Sequence, residues 1–471
     1  MRFRSPLAIL LCLLFFASVV RPQPQLEEHL RSISWRAYQD QAVNLLQEYL
    51  RIDTSNPPGN ELAAAEFFHK LFDQAGIPNS IYVSAPGRGN IYAVLKGDGT
   101  LKPLVLLNHM DVVRADPQNW KVPPFSGAIV NGEIYGRGAL DMKDEGLLQA
   151  MVMLVAAREH LPLKRDIIFL ATADEEVGDT GSAWIIQNHP ELVKGAEFLI
   201  TEGGSNLITP GQGPTYGIGV GEKAPFWIRL VATGRGGHGS IPIPDSAPNR
   251  LASAMCRVVN WQTPIRLLPQ VEQYFRAVAH LEKEPRASQF RNVRKALKNP
   301  AFLRWVTENP DLNYMLRDTV SLTVLKGSQQ TNVIPDTASC DLDVRLLPGT
   351  DPQDFLAQLR EVVADPRIEI QPISRYRIPN SSPADSTLFR VIEQVIHETR
   401  PGAQVLPRLN SGYTESQMYR ELGIKCYGFN PIELTPELDD TEHAANERVP
   451  VEEIRRGVKV FYEVVARGAN Q

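Results

Sequence analysis

Apolar residues recur at helical spacing over 35–52 and again over 67–72, separated by the turn sequence Asn56-Pro57-Pro58-Gly59. Short apolar runs follow at 91–95, 105–107, 167–171 and 198–201, and a helical period occupies 145–157. Short buried runs alternating with helices predict an α/β sheet covered on both faces. The texture changes after Gly221. Residues 226–232 alternate, as do 320–325 and 338–346, where Asp341, Asp343 and Arg345 share one face. Helices at 246–260 and 355–363 and a strand at 368–373 complete a small α+β domain with an antiparallel sheet. The segment 264–317 adds a charged, aromatic-rich helical insert to it. From Asp385 the first texture returns, with a helix over 391–397, a strand over 426–429 and a closing helix over 451–465. The pattern therefore predicts an α/β domain, residues 30–220 and 384–471, interrupted by an inserted α+β domain, 221–383. Its candidate hinges are Gly221 and Pro383.

Composition adds little to this and removes one class of function. With 471 residues, 43% hydrophobic and 22% charged, the chain has the make-up of a globular enzyme. A net charge of −5 and the lack of a basic stripe give no reason to expect a nucleic-acid partner. The N-terminus is different. Arg2 and Arg4 precede an apolar run, 7–20, that ends at Arg21-Pro22. That is the layout of an export signal over 1–20, and left uncleaved it would anchor a secreted or periplasmic protein to the membrane. Beyond Cys12 the cysteines are Cys256, Cys340 and Cys426, an odd number without a paired metal spacing, which argues against a disulfide framework.

The chemistry is carried by acids and histidines that follow the predicted strands. Glu175 and Glu176 stand side by side after the run 167–171. Two adjacent carboxylates are costly to keep ionised without a strong positive charge nearby, and a metal ion bound by one of them leaves its neighbour free to move protons. His109 follows the run 105–107, and Asp111 lies two residues on, pointing the same way in extended chain, where it can take the free imidazole N–H. Asp141 sits in a glycine-bracketed turn before a helix, Glu202 ends the run 198–201, and His443 lies in DTEHAANE. Each alone has a bland reading as a cap, a solvated strand end or a surface loop residue. His109, Glu175–Glu176 and Glu202 all directly follow predicted strands, and the carboxyl ends of parallel strands share one rim where ligands bind. Five oxygen and nitrogen donors with no cysteine suit two zinc-like ions bridged by one carboxylate.

The stretches NHMDVV, GRGALDMK, ATADEEVGDTG, TEGG, GRGGHGS, TNVIPDTA, DVRLLPG, SGYTES and EHAANE, in this order, resemble the M20 metallopeptidases. GEKAPFWI, the long 264–317 segment and YGFNPIEL are most similar to the carboxypeptidase S and N-acyl-amino-acid hydrolase branch. The resemblance implies a sheet-based di-zinc catalytic domain with an inserted lid or dimerisation domain. It implies two Zn2+ per subunit, replaceable by Co2+, one held by His109, Asp141 and Glu202 and the other by Asp141, Glu176 and His443. Asp111 would orient His109, and Glu175 would be the unligated base. His238 would stabilise an oxyanion, and Asn332, Arg345, Gly412 and Thr414 would meet the substrate, with Arg345 as the carboxylate clamp. Glu415 stands where many relatives have aspartate. A cis peptide after Asp141 is implied too. In many relatives the inserted domain forms a homodimer and lends its histidine across the interface; here the oligomeric state is left open.

The expected activity is hydrolysis of the amide bond next to a free carboxylate, in short peptides or N-acyl amino acids. Two rivals stand beside it. One is an N-acyl-amino-acid hydrolase for lipid-like acyl groups, for which Tyr274, Phe275, Phe290, Phe302, Leu303 and Trp305 of the insert could line an apolar channel; the same residues could as easily form an oligomer surface or simple core. The other is a metal-bound scaffold without catalysis, which a lost ligand or a replaced Glu175 would favour; neither is seen.

Overall fold

A computed structural model describes residues 24–178, 180–208, 213–374 and 377–471. The segment read as an export signal or anchor, 1–20, lies outside them. Among the described residues no helix is long and apolar enough to cross a membrane.

The first domain is built on a mixed sheet of nine described strands. Its centre is parallel: Lys425–Gly428, Phe198–Thr201, Leu104–His109 and Ile167–Thr172 run side by side in that order. The last three of these strands are buried along their whole length, as continuous apolar runs between two helical layers must be. Arg88–Leu95 and Asn79–Ala85 extend one edge antiparallel. On one face lie the helices Trp35–Leu50, Lys143–Arg158, Thr387–Thr399 and Val451–Gly468, which share a single core with the sheet. Lys143–Arg158 is buried on nearly every side, which explains why it is apolar all round rather than striped.

Several described elements of this domain are not anticipated by the sequence pattern, and three of them shape the core and the site. Helix Pro24–Ser32 packs Leu26 and Leu30 into the core. Strand Thr215–Glu222 alternates Tyr216, Ile218 and Val220, all buried in that core, with Gly217, Gly219 and Gly221 on the opposite face. Strand Gln404–Asn410 runs parallel beside it. Glycine weakens the first of these strands and Pro407 interrupts the second, so the pair reads poorly from sequence. The reason for the glycines is tertiary. A Cβ on Gly219 would lie 2.6 Å from the Gly203 oxygen, and one on Gly428 would lie 2.5 Å from the Glu202 oxygen.

The inserted domain has an antiparallel sheet of five described strands, including Ile228–Thr233, Thr319–Lys326, Thr337–Leu346 and Ile368–Pro372, covered by helices Ala247–Val259 and Pro352–Val363. The 264–317 segment within it is helical, as expected, and of the readings open for its aromatic residues the core is the one found. Phe275, Phe290 and Phe302 are at most 3% exposed, and their rings pack on each other and on Trp305. Leu347 of the inserted domain and Leu406 and Leu409 of the first domain complete that core. The insert therefore ties the two domains together.

The crossing near Gly221 is also braced. Glu222 is buried in an ion pair with Arg420, whose Nε donates to Ser382 on the return crossing. The buried Lys223 ammonium donates to the Tyr314 and Arg317 carbonyls and to Thr319 Oγ1, at 3.1, 2.8 and 2.9 Å. Breaking such contacts exposes buried charge, so the crossing is a poor free hinge.

Candidate active site

The strand ends deliver the site. His109 closes Leu104–His109, Glu175 and Glu176 follow Ile167–Thr172, and Glu202 follows Phe198–Thr201. These strands are parallel and adjacent, so their exits meet on one rim. Asp141 arrives in the turn before helix Lys143–Arg158, through a cis peptide to Met142. His443 arrives on the loop after helix Pro436–Asp439, with a left-handed φ of 57°. Asn446, three residues on, is left-handed as well, at 65°. Such residues cost about 1–3 kcal/mol each and persist where surrounding contacts over-determine them.

Those contacts come from Arg137 and Glu447, which lie in the GRGALDMK and EHAANE stretches but have no expected role. The Glu447 carboxylate is fully buried, pairs with Arg137, and accepts from the Leu140 and Asp141 amides at 2.8 and 3.3 Å. Arg137 also donates to the His443 carbonyl at 3.1 Å. One buried ion pair thus fixes both the Asp141 turn and the His443 loop. The signal was the second acid of EHAANE, but nothing local says that it reaches back some 300 residues.

Asp141 stands between the two imidazoles. Its Oδ1 is 3.0 Å from His109 Nε2 and its Oδ2 is 2.8 Å from His443 Nε2. Glu202 is 3.6 Å from His109 Nε2, and Glu176 is 3.3 Å from His443 Nε2. Glu175 joins the same cluster: its carboxylate, Glu202 and His109 offer ligand atoms within 4.8 Å of one another. Asp111 behaves differently from the simple expectation. The His109 Nδ1 is 3.0 Å from the Asp111 main-chain oxygen and 3.5 Å from its carboxylate, so the carbonyl is the hydrogen-bond acceptor. The carboxylate instead accepts from the Glu175 and Glu176 amides, at 3.0 and 3.1 Å, and from Asn56 at 2.8 Å. It pins the glutamate pair. Asp174, left-handed at φ 64°, turns the chain out of the strand and is held by Asn56 at 2.7 Å.

The charges follow from this crowding. Burial pushes the Glu175 carboxyl well above its usual range, and Glu202, Glu415 and Asp141 add to the rise. Burial lifts Glu202 to about 7 despite His109. Burial lowers the His109 imidazole, and the neighbouring acids more than reverse that. Hydrogen bonds to Asp141 and Glu176 raise His443 to about 10. No lysine or arginine is paired with Asp141, Glu175, Glu176 or Glu202 among the described residues, and the group facing the buried Glu176 Oε1 is the His443 ring at 3.3 Å. Two imidazoles and several carboxylates with no organic cation fit a pair of divalent metal ions.

The remaining expected residues divide. Thr414 is buried, with its methyl against the Gly203 turn, and Glu415 accepts from Thr172 Oγ1 at 2.9 Å, so this loop does border the rim. Gly412, on the same loop, has open space around it. His238 and Asn332 come together elsewhere. His238 lies on a two-stranded ribbon of the inserted domain and Asn332 in the turn that enters its second strand, where Gly239 donates to the Asn332 carbonyl at 2.7 Å. His238 is exposed and its Nδ1 faces Ser240 Oγ at 2.8 Å rather than any rim residue. Arg345 is not a free clamp. Its guanidinium is paired with Asp343 through two bonds of 2.8 and 3.2 Å, the same-face pairing that the alternation of the strand allows.

Comparison with known proteins agrees with this architecture. Residues 105–467 match the family described as Peptidase family M20/M25/M40. The N-fatty-acyl-amino acid synthase/hydrolase PM20D1 of Xenopus tropicalis is 30% identical over 439 residues, which cover 90% of this chain and 85% of that protein. A probable carboxypeptidase S-like 2 of Dictyostelium discoideum is 29% identical over 380 residues, covering 78% and 72% respectively. Among solved structures, the M20 family metallo-carboxypeptidase Sso-CP2 from Sulfolobus solfataricus superposes with a TM-score of 0.68 at 20% identity, over 92% of this chain and 100% of that one. The chain belongs to the M20 family of metal-dependent hydrolases.

Proposed function

We propose that this protein hydrolyses the amide bond joining an acyl or aminoacyl group to an amino acid that carries a free carboxylate. The observation that carries the reading is Asp141 shared by two imidazoles, at 3.0 and 2.8 Å, with Glu175 in the same cluster. We assign one zinc ion to His109, Asp141 and Glu202 and a second to Asp141, Glu176 and His443. When bound, the ions supply an acidified water and positive charge for the developing oxyanion. Glu175 accepts the proton of the attacking water as the C–O bond forms, and its carboxyl returns that proton to the leaving nitrogen as the C–N bond breaks. Asp111 holds the backbone of Glu175 and Glu176 while this proton moves. Export is part of the proposal, on the layout of residues 2–22.

A second reading, with a lipid-like acyl group, is favoured by the named activity of the Xenopus relative. Its acyl chain would not run through the insert's aromatic core, which is closed. A substrate panel separates the two: a blocked Gly-Leu dipeptide, a long-chain N-acyl leucine, and the carboxamide of each. Free acids are expected to turn over faster than their carboxamides. Faster cleavage of the long-chain acid selects the second reading, and equal rates on acids and carboxamides sink both.

His238 is proposed to serve the site of a second copy. Its support is the exposed ribbon and the braced crossing, which leave little freedom for closure within one chain. Mixing inactive Glu175→Ala protein with inactive His238→Ala protein is expected to recover part of the activity. No recovery, once subunit exchange is demonstrated, would place His238 in cis.

A further inference from the structure

Arg408 is a half-buried cation whose neighbours do not neutralise it. It lies on strand Gln404–Asn410, whose next residues form the loop of Gly412, Thr414 and Glu415. Its side chain crosses the glycine face of the neighbouring strand: a Cβ on Gly217 would be 3.2 Å from Arg408 Cδ and 3.1 Å from the Ser205 oxygen. Ser205 ends the turn that starts at Glu202. Two residues along the strand, about 6–7 Å, Asn410 donates to the Gly203 carbonyl at 2.8 Å. Arg408 therefore sits beside the turn that carries a rim acid.

The opposite wall is the insert. Helix Pro269–Val278 packs on this strand and brings Tyr274, and Tyr314 donates to the Leu409 carbonyl at 3.1 Å. Burial raises the proton affinity of Tyr274, Tyr314 and Asp439, and the positive charge of Arg408 opposes the rise in all three. Asp439 is a charge neighbour only: among the described residues no carboxylate is within ion-pair range of Arg408, and neither the guanidinium nor the Tyr274 hydroxyl has a hydrogen-bond partner. A half-enclosed guanidinium of this kind is suited to a carboxylate from outside the chain. Arg345, by contrast, already holds Asp343 in a two-bond pair.

We propose that Arg408, on the wall shared with Tyr274 and Tyr314, binds the free carboxylate of the substrate in place of Arg345. The assignment rests on the reading of the protein as an amide hydrolase for carboxylate-bearing substrates. It makes the insert a specificity element, since two of the groups around Arg408 come from it.

The test compares each N-acyl amino acid with its carboxamide on wild-type, Arg408→Gln, Arg408→Lys and Arg345→Gln protein. Arg408→Gln is expected to raise KM for the acid by about 10–100-fold, the range for losing a charged hydrogen bond, with kcat nearly unchanged. The carboxamide constants should not move, and lysine should restore part of the loss. Retention of the acid preference in Arg408→Gln, with its loss in Arg345→Gln, overturns the assignment. So does an equal loss on acid and carboxamide, which would mark Arg408 as a support for the insert. Wild-type protein that cleaves neither acid overturns the functional reading, and the assignment with it.

Discussion

Glu175→Ala protein is expected to bind as much metal as wild type and to lose turnover by about 10⁴-fold, the upper end for removing a general acid or base. The upper end applies because one carboxylate takes the proton in the first step and returns it in the second. Metal should stay because alanine keeps the main-chain amide that donates to Asp111 at 3.0 Å. The next amide keeps its own bond to Asp111 at 3.1 Å, so Glu176 remains beside His443. Metal content by atomic absorption and single-turnover rates on a free-acid substrate provide the readout. Stoichiometric loss of an ion in the variant would make Glu175 a ligand and invert the assigned roles of the pair.

Removing the metal is expected to abolish activity altogether, and zinc or cobalt should restore it. The physical ground is the charge balance of the rim. Asp141, Glu175, Glu176 and Glu202 converge there, and their only basic partners among the described residues are His109 and His443. Asp141→Asn should mimic chelation, because both imidazoles meet on that one carboxylate, at 3.0 and 2.8 Å. Dialysis against a chelator, metal analysis and back-titration measure this. Full activity in metal-free protein would sink the di-metal reading, and an Asp141→Asn protein with one ion still bound would show that the bridge is not shared.

Much of this protein was legible along the chain. Buried parallel strands are continuous apolar runs, so Leu104–His109, Ile167–Thr172 and Phe198–Thr201 announced themselves, and the acids and histidine that follow each one marked the rim. That inference needs only the rule that parallel strands share a carboxyl edge. The α+β texture of the inserted domain was legible for the same reason: its half-buried strands alternate.

What escaped was whatever depends on partners distant in sequence. The glycine strand Thr215–Glu222 has weak local propensity and is required only because the Gly203 turn folds onto it. Glu447 reads as a loop acid until Arg137 and the Asp141 turn are placed against it. Arg345 matches a clamp by position, yet Asp343 on the same face takes its guanidinium, while Arg408 lies in a strand whose Pro407 hides it in the local pattern. Sequence by itself determined the strand order's raw material, the metal-binding residue types and the chemistry they permit, because periodicity and side-chain identity are local properties. Only the tertiary structure decided which carboxylate meets which imidazole, which arginine stays unpaired and whether the domains can hinge, because burial and pairing arise when segments hundreds of residues apart are brought into contact.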